Sequence, residues 1–341
     1  MGAAARRGRT ATPTPTPTPH AADTTPRAPV GCCLQTHVDT YHFDKLGFSL
    51  YFLQSFDDAV APRPADVGEP GSSAAHAHLW STPGAVLELT HNHGSEEEYH
   101  PGNADGDGFG HVAFNCDDVY ASCAKLEEGG VSFRKKPDEG RMKGLAFALD
   151  PDGYWVEIVK RSDGSEIADE FNLSQTMLRV RDPQASLAFY RDGLGMSLVR
   201  ESHYPEASFS LYFLASLPEG TEVDYDPTDR EASKAFVGAL HAPVLELTHN
   251  HGTEKEEGFA YKNGNEDGAR GFGHIGVLVE DVDEACAAIE AAGGELAKRP
   301  DGGTMKGLAF CRDPDGYLCE VVKRGGYGAD CAPYFLEEGA K

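Results

Sequence analysis

Apolar and polar positions along the chain fall into two rhythms that alternate twice over. QTMLRV (175–180) alternates with period two, as a half-buried strand does. Asp182-Pro183 then offers an N-cap and a proline at the first helical position, so ASLAFYRD (185–192) is predicted as a helix that Gly193 ends. Strands are predicted around Leu198–His203, Phe209–Leu214 and Val244–Leu247. The same order follows again. HIGVLV (274–279) reads as a strand, Asp281 caps a helix carrying Val282, Cys286 and Ile289 on one face, and Gly293-Gly294 stops it. Strands around Glu295–Lys298, Leu308–Arg312 and Leu318–Val322 complete a second β-α-β-β-β unit.

This double unit is itself written twice. FSLYFL stands at 48–53 and 209–214, VLELTHNHG at 86–94 and 244–252, and GFGH at 108–111 and 271–274. MKGLAF follows at 142–147 and 305–310, and DPDGY at 150–154 and 313–317. A spacing of about 160 residues is too long for a solenoid and marks a duplicated domain. Four modules imply an α+β architecture with helices covering one face of curved mixed sheets. The first copy is short at its start. Val38–Phe43 lies where Val199–Tyr204 lies in the second copy, and upstream of it nothing matches QTMLRV or the helix capped by Asp182. Its first module therefore lacks one strand and one helix. The predicted organisation is a tail over 1–30, a truncated domain over 31–165, a complete domain over 166–326 and an extension over 327–341.

The tail is chemically distinct. Its repeated Thr-Pro dipeptides forbid helix and sheet ladder alike, and its arginines, threonines and scarce acids fit an organelle transit peptide as well as an unstructured leader. The expected location is therefore cytoplasmic, or plastid or mitochondrial if the tail is a transit peptide. Over the whole chain, 30 Lys and Arg stand against 55 Asp and Glu, a formal charge of -25. That balance argues against nucleic acid and anionic membranes as partners, and no run approaches the roughly 20 apolar residues of a membrane helix. Eight cysteines without a C-x-x-C pair read as reduced thiols.

Polar residues inside repeated strands are the candidates for chemistry, since core-facing positions should be apolar. Glu88 and Glu246 sit within L-E-L-T-H, His111 and His274 open a strand, Glu157 and Glu320 lie in the last strand, and Gln175 lies in the first strand of copy two. Any one of them is explained as an outward solvated position or a structural histidine. Their recurrence together is not. A carboxamide oxygen, two carboxylates and an imidazole suit a divalent ion of intermediate hardness with positions open to water or substrate. The H-x-H pairs His91/His93 and His249/His251 share a ligand-like spacing but run into a turn, and read as turn and wall residues.

The block order QTMLRV-x-D-P, FSLYFL, LELTHN-x-G-T-E, GFGHI, MKGLAF, DPDGY-x-x-E resembles glyoxalase I (lactoylglutathione lyase) of the vicinal oxygen chelate superfamily, in the fused double-length form found in some eukaryotes. The resemblance covers roughly residues 38–324. It implies paired modules whose concave sheets each enclose a metal, with Gln and the first Glu from one domain and His and the last Glu from the other. One full set follows: Gln175 and Glu246 with His111 and Glu157. The reciprocal set has Glu88, His274 and Glu320 but no glutamine, since Gln35 lies too near the strand at Val38. The resemblance further implies glutathione contacts from Arg179, Asn250, Lys135 and Met142, and in the reciprocal set from Asn92, Arg270, Lys298 and Met305. Where the family has arginine four residues before the metal histidine, copy one has Asp107, whose charge should oppose a glutathione carboxylate.

The activity so implied is isomerisation of the methylglyoxal–glutathione hemithioacetal to S-lactoylglutathione through an enediolate, which detoxifies methylglyoxal. Glu157 is expected as principal base and Glu246 as the second carboxylate. Zinc is the expected metal, because the insert before each L-E-L-T-H resembles the zinc-using branch; nickel and cobalt fit the same donors. Glutathione is the co-substrate, and a monomer with intrachain domain pairing is expected. Two rivals remain at this point. An extradiol-type dioxygenase shares the fold but wants two histidines and a carboxylate around iron, and Gln175 occupies the first of those places. A weakened glyoxalase-fold binding protein would fit the truncation and Asp107.

Overall fold

The computed structural model describes residues 35–326 apart from 59, 96, 164, 168–169, 267–269 and 304. The tail over 1–30 and the extension over 327–341, with Cys32, Cys33 and Cys331, lie outside the described residues. In chain order the elements are β1 (Thr36–Phe43), β2 (Phe48–Gln54), α1 (Ser73–Leu79), β3 (Leu87–Asn92), β4 (Phe109–Cys116), α2 (Val119–Glu128), β5 (Phe133–Lys135), β6 (Ala146–Leu149) and β7 (Trp155–Lys160) for the first copy. The second copy has β8 (Asn172–Val180), α3 (Pro183–Leu187) continuing as a π-helix over Ala188–Gly193, β9 (Ser197–Tyr204), β10 (Phe209–Ala215), α4 (Arg230–Ala239), β11 (Val244–Asn250), β12 (His274–Val279), α5 (Val282–Ala291), β13 (Glu295–Lys298), β14 (Ala309–Arg312) and β15 (Leu318–Lys323).

The local signals act as read. Asp182 accepts from the amide of Gln184 ahead of Pro183, and Asp281 accepts from Asp283 and Glu284. Val282, Cys286 and Ile289 are all buried on the inner face of α5. Two helices escaped the sequence pattern: α1 and α4, in the inserts before β3 and β11. Both are capped in the usual way, by Ser72 and Asp229, but each follows a proline-rich stretch whose loop signals outweigh the short helical face.

The strands assemble unequally. β5-β6-β7-β4-β8-β11-β10-β9 form one sheet, in which the second module of copy one joins the first module of copy two through antiparallel pairing of β4 and β8. The sheet is mixed, since β11 runs parallel to β8 and β4 parallel to β7. The other two modules stay apart as β1-β2-β3 and β12-β15-β14-β13. The two matching concave sheets expected from the family are thus one continuous sheet and one split pair. β1 runs where β9 runs in copy two, and among the described residues no strand joins β3 to β12 as β8 joins β11 to β4. Leu178, Phe189, Tyr190, Leu247, Ile289, Tyr317 and Val321 form the main core across copy two, and α2 packs Val119 and Leu126 onto Phe114, Ile158 and Leu173.

Candidate metal centre

Four neighbouring strands of the large sheet each place one polar side chain at a common point: Glu157 on β7, His111 on β4, Gln175 on β8 and Glu246 on β11. The Gln175 Nε2 stands 2.7 Å from Glu246 Oε2, 2.9 Å from Glu157 Oε2 and 3.2 Å from His111 Nε2. His111 Nε2 is also 3.3 Å from Glu157 and 3.8 Å from Glu246. The two carboxylates come from the outer strands and so flank the inner pair from opposite sides. Both are buried, as is His111.

Burial and proximity set the electrostatics. Glu246 is pushed up to about 7, chiefly by desolvation; His111 opposes this and Glu157 adds to it. His111 is buried too, which alone lowers an imidazole, but Glu157 and then Glu246 more than reverse it, so its pKa is raised. The Gln175 amide group thus stands among two carboxylates and an imidazole. A divalent cation satisfies the same acceptors, and a glutamine amide turned about its last torsion adds an oxygen to the set. The residues fit the group. The edge of Phe147 closes over the His111 ring at 5.5 Å between centroids, from the repeated MKGLAF block.

The reciprocal set also gathers. His274 Nε2 is 3.5 Å from Glu320 Oε2 and 3.8 Å from Glu88 Oε2, and one donor atom from each lies within 4.8 Å of the other two. Phe310 stands over His274 as Phe147 does over His111. The set is more exposed than the complete one, and burial still raises Glu88. Gln35 precedes β1, at the opposite edge of the three-stranded sheet from β3, and leaves this set with three donors.

The remaining candidates divide. Asn250 and Asn92 each donate to a tyrosine hydroxyl, Tyr261 at 2.9 Å and Tyr99 at 3.0 Å. Lys135 and Lys298 donate to the carbonyls of Leu145 and Leu308. Met142 is exposed, Met305 is half-buried, and Arg270 pairs with Glu97 and Ser95. Arg179 is spent partly on structure: its guanidinium donates to Phe109 O at 3.1 Å and Asn103 Oδ1 at 2.8 Å. Asp107 is buried, not splayed into the cleft; it accepts from the Ala104 amide at 2.8 Å and faces Lys262 at 3.9 Å. Lys262, from the other copy, carries no motif that marks it, and only the fold brings it here. Next to it, a Cβ on Gly108 would run into the Tyr317 hydroxyl, which explains why GFGH opens with glycine. Across the molecule the histidines of the H-x-H pairs serve the walls, His93 and His251 on Ser49 and Ser210, and His249 on Glu254.

The sequence model of the family described as "Glyoxalase/Bleomycin resistance protein/Dioxygenase superfamily" matches residues 40–158 and 172–321. A lactoylglutathione lyase of Schizosaccharomyces pombe is 40% identical over 294 residues, covering 84% of this chain and 87% of that one. A glyoxalase I of Saccharomyces cerevisiae is 40% identical over 298 residues, covering 83% of each. The crystal structure of glyoxalase I from Zea mays superposes with a TM-score of 0.59 at 25% identity, over 85% of this chain and 84% of that one.

Proposed function

This chain belongs to the glyoxalase superfamily and within it to the lactoylglutathione lyases, and we propose that its reaction runs at the centre made by Gln175, Glu246, His111 and Glu157. The protein is a lyase that isomerises the hemithioacetal of glutathione and methylglyoxal to S-lactoylglutathione. The observation that carries the assignment of the site is the convergence of those four side chains from four adjacent strands and from both copies.

Gln175, Glu246, His111 and Glu157 would hold a divalent ion, with zinc the first choice and nickel or cobalt compatible with the same donors. When bound, the ion supplies Lewis acidity toward two neighbouring substrate oxygens and so stabilises enediolate charge as it develops. The protein's own part is proton transfer and exclusion of water. Glu157, on one flank, takes the proton from C1 of the hemithioacetal and the proton is returned at C2; with the hydroxyl hydrogen passing from the oxygen on C1 to that on C2, C1 becomes the thioester carbonyl and the isomerisation needs no external oxidant or reductant. Glu246 reaches from the opposite flank and can act on the opposite face. Asn250 ends β11 and Arg179 lies on β8, where the glutathione chain would extend from the reacting carbons. Lys135 and Met142 would flank it from the MKGLAF side.

Because both copies contribute to one centre within one chain, a single chain suffices to build it, and we read the functional unit as a monomer with intrachain domain pairing. Among the described residues no helix is long and apolar enough to cross a membrane. We read the location as cytoplasmic, or as an organelle if the first thirty residues direct import. The test adds zinc to metal-free protein in the presence of the hemithioacetal and follows thioester formation. Turnover that rises with one equivalent of zinc and disappears in Gln175→Ala at the same zinc supports the assignment. Turnover indifferent to Gln175 would move it to the other set.

A further inference from the structure

A cavity of about 600 Å³ lies outside both donor sets, where the inserts of the two copies meet. Copy one lines it from the end of β2, from α1 and from Pro83, Gly84 and Ala85 ahead of β3. Copy two closes it with Leu173 at the start of β8 and with His241, Ala242 and Pro243 ahead of β11. Those two tripeptides hold the same place before VLELTHNHG, so the cavity lies between matching turns of the two copies. No donor of either metal set lines it. Its volume is that of a site for a small organic molecule.

One wall is polar where the duplicate is apolar. Counted on from FSLYFL and back from VLELTHNHG, Gln54 stands where copy two has Ala215, His78 where it has Phe236, and Thr82 where it has Leu240. In copy two those three residues join Val199 and Phe213 in a filled apolar cluster. In copy one they form a hydrogen-bonded chain. His78 Nε2 meets Gln54 Oε1 at 2.8 Å, and Gln54 Nε2 donates to Thr82 Oγ1 at 2.9 Å. Gln54 is 5% exposed and Thr82 6%. Burying polar groups costs free energy for each hydrogen left without a partner, so an apolar trio is the more stable choice at such a place. A polar trio on the wall of a cavity calls for a partner that the cavity admits.

The hydrogens left over set the chemistry of that partner. With Gln54 Oε1 toward His78, the ring nitrogen carries its hydrogen, and the amide spends one of its two on Thr82. The second amide hydrogen and the Thr82 hydroxyl hydrogen have no acceptor among the described residues. Gly84 keeps the amide uncovered: a Cβ there would come within 3.2 Å of Gln54 Nε2, and copy two has Ala242 at that place. Burial first, and then Arg63, lower the His78 pKa, so the ring is neutral at pH 7. Asp66 also lines the cavity and would repel an anion. Phe56, Pro62, Ala77, Leu173 and Pro243 line the rest with carbon. The cavity thus offers two donors to an uncharged acceptor and a seat for an apolar body.

We propose that this cavity is a second small-molecule site, which takes an uncharged, largely apolar molecule through a carbonyl oxygen held by Gln54 Nε2 and Thr82 Oγ1. It stands independently of the reaction proposed for the metal centre, since no donor of that centre takes part.

Benzophenone is the probe, an uncharged ketone with an apolar body that inserts into nearby C–H bonds under near-ultraviolet light. Irradiated with the full chain, it should label residues 54–56, 74–85 or 241–243, mapped by mass, with a yield that saturates as its concentration rises. Absence of label there, or a yield that never saturates, overturns the site. Gln54→Ala/His78→Phe/Thr82→Leu installs the apolar trio of copy two. In that variant the label should fall about tenfold or more, with unchanged lyase turnover as the sign of an intact fold. Thr82→Val removes one donor at nearly constant shape and should raise the half-saturating concentration about three- to tenfold; it decides alone if the triple variant does not fold. Label indifferent to both changes overturns the site. If the triple change removes the label but Thr82→Val leaves the half-saturating concentration where it was, the cavity stands as a site and the carbonyl contact falls.

Discussion

The six residues LELTHN occur twice in this protein and live in two environments. In β11 five of the six are buried, with Leu247 fully enclosed. In β3 the same six are half-buried or exposed, and Leu89, the counterpart of Leu247, is 46% exposed. Nothing in the hexapeptide differs, so burial is a property of the neighbours. β8 covers one edge of β11, and Tyr190 and Phe189 beyond α3 cover its face, whereas β3 has neither among the described residues. The lesson extends to the two donor sets. The complete centre is buried because a strand and a helix stand around it, and the reciprocal one is half-open because none do among the described residues.

The largest expected effect separates the centres by activity. Glu157→Gln keeps shape and removes a base, and should lower turnover by about a hundredfold or more. Glu320→Gln makes the same change in the half-open set and should leave most of the turnover. Steady-state kinetics on both variants checks this, and equal losses would mean that the two halves work alike.

The next effect is on stability. Leu247→Ala opens a cavity in the main core and should cost about 2–5 kcal/mol in denaturant unfolding. Leu89→Ala, at the matching and exposed position, should cost well under about 1 kcal/mol. A similar cost at both sites would show that β3 is covered on its face as β11 is.

How much of this contrast could be read from the letters depends on range. The helices capped by Asp182 and Asp281 and the strand HIGVLV were legible because caps and alternation are local and strong. α1 and α4 were not, because a short face of small residues among prolines carries little periodicity. The donors Glu157, His111, Gln175 and Glu246 were singled out as polar residues in repeated strands, but their meeting point depends on the order β7-β4-β8-β11, which no spacing encodes. The approach of Lys262 to Asp107 from the other copy is of the same kind: two residues 155 positions apart, neither marked by pattern, brought together by the pairing of loops.

A third effect is one of pH, again with a built-in control. Asp313 of the second DPDGY accepts from Tyr190 Oη and the amides of Asp315 and Tyr317, yet burial first, and then Asp315, push it up to about 7. An unfolded aspartate titrates near 3.9. Between those values the folded state binds more protons than the unfolded one, so this group's contribution to stability is whole below about 4 and is lost as pH rises through about 7. Urea midpoints across that window should fall with rising pH, and Asp313→Asn should flatten the slope. Asp150, the counterpart in copy one, is raised by burial as well but is less enclosed, and Asp150→Asn should change the slope less.

The smallest effect concerns a loop position at which the complete centre departs from its reciprocal. Arg270 precedes His274, and Asp107 precedes His111 by four residues. A charge beside the glutathione path should weaken binding of an anionic tripeptide, but this carboxylate is already held by the Ala104 amide and faces Lys262. Much of its repulsion is therefore offset within the loop. Asp107→Asn keeps an acceptor for Ala104 and removes the charge, so the inhibition constant of a glutathione thioether should fall by about two- to fivefold, roughly 0.5–1 kcal/mol, with the thermal midpoint unchanged. Asp107→Arg places a third cation next to Lys262 and Arg179 and removes the loop acceptor; it should tighten the same inhibitor further while lowering the thermal midpoint. An inhibition constant unmoved by either change would mean that Asp107 serves the loop alone, and that glutathione is held in the complete centre without reference to this position.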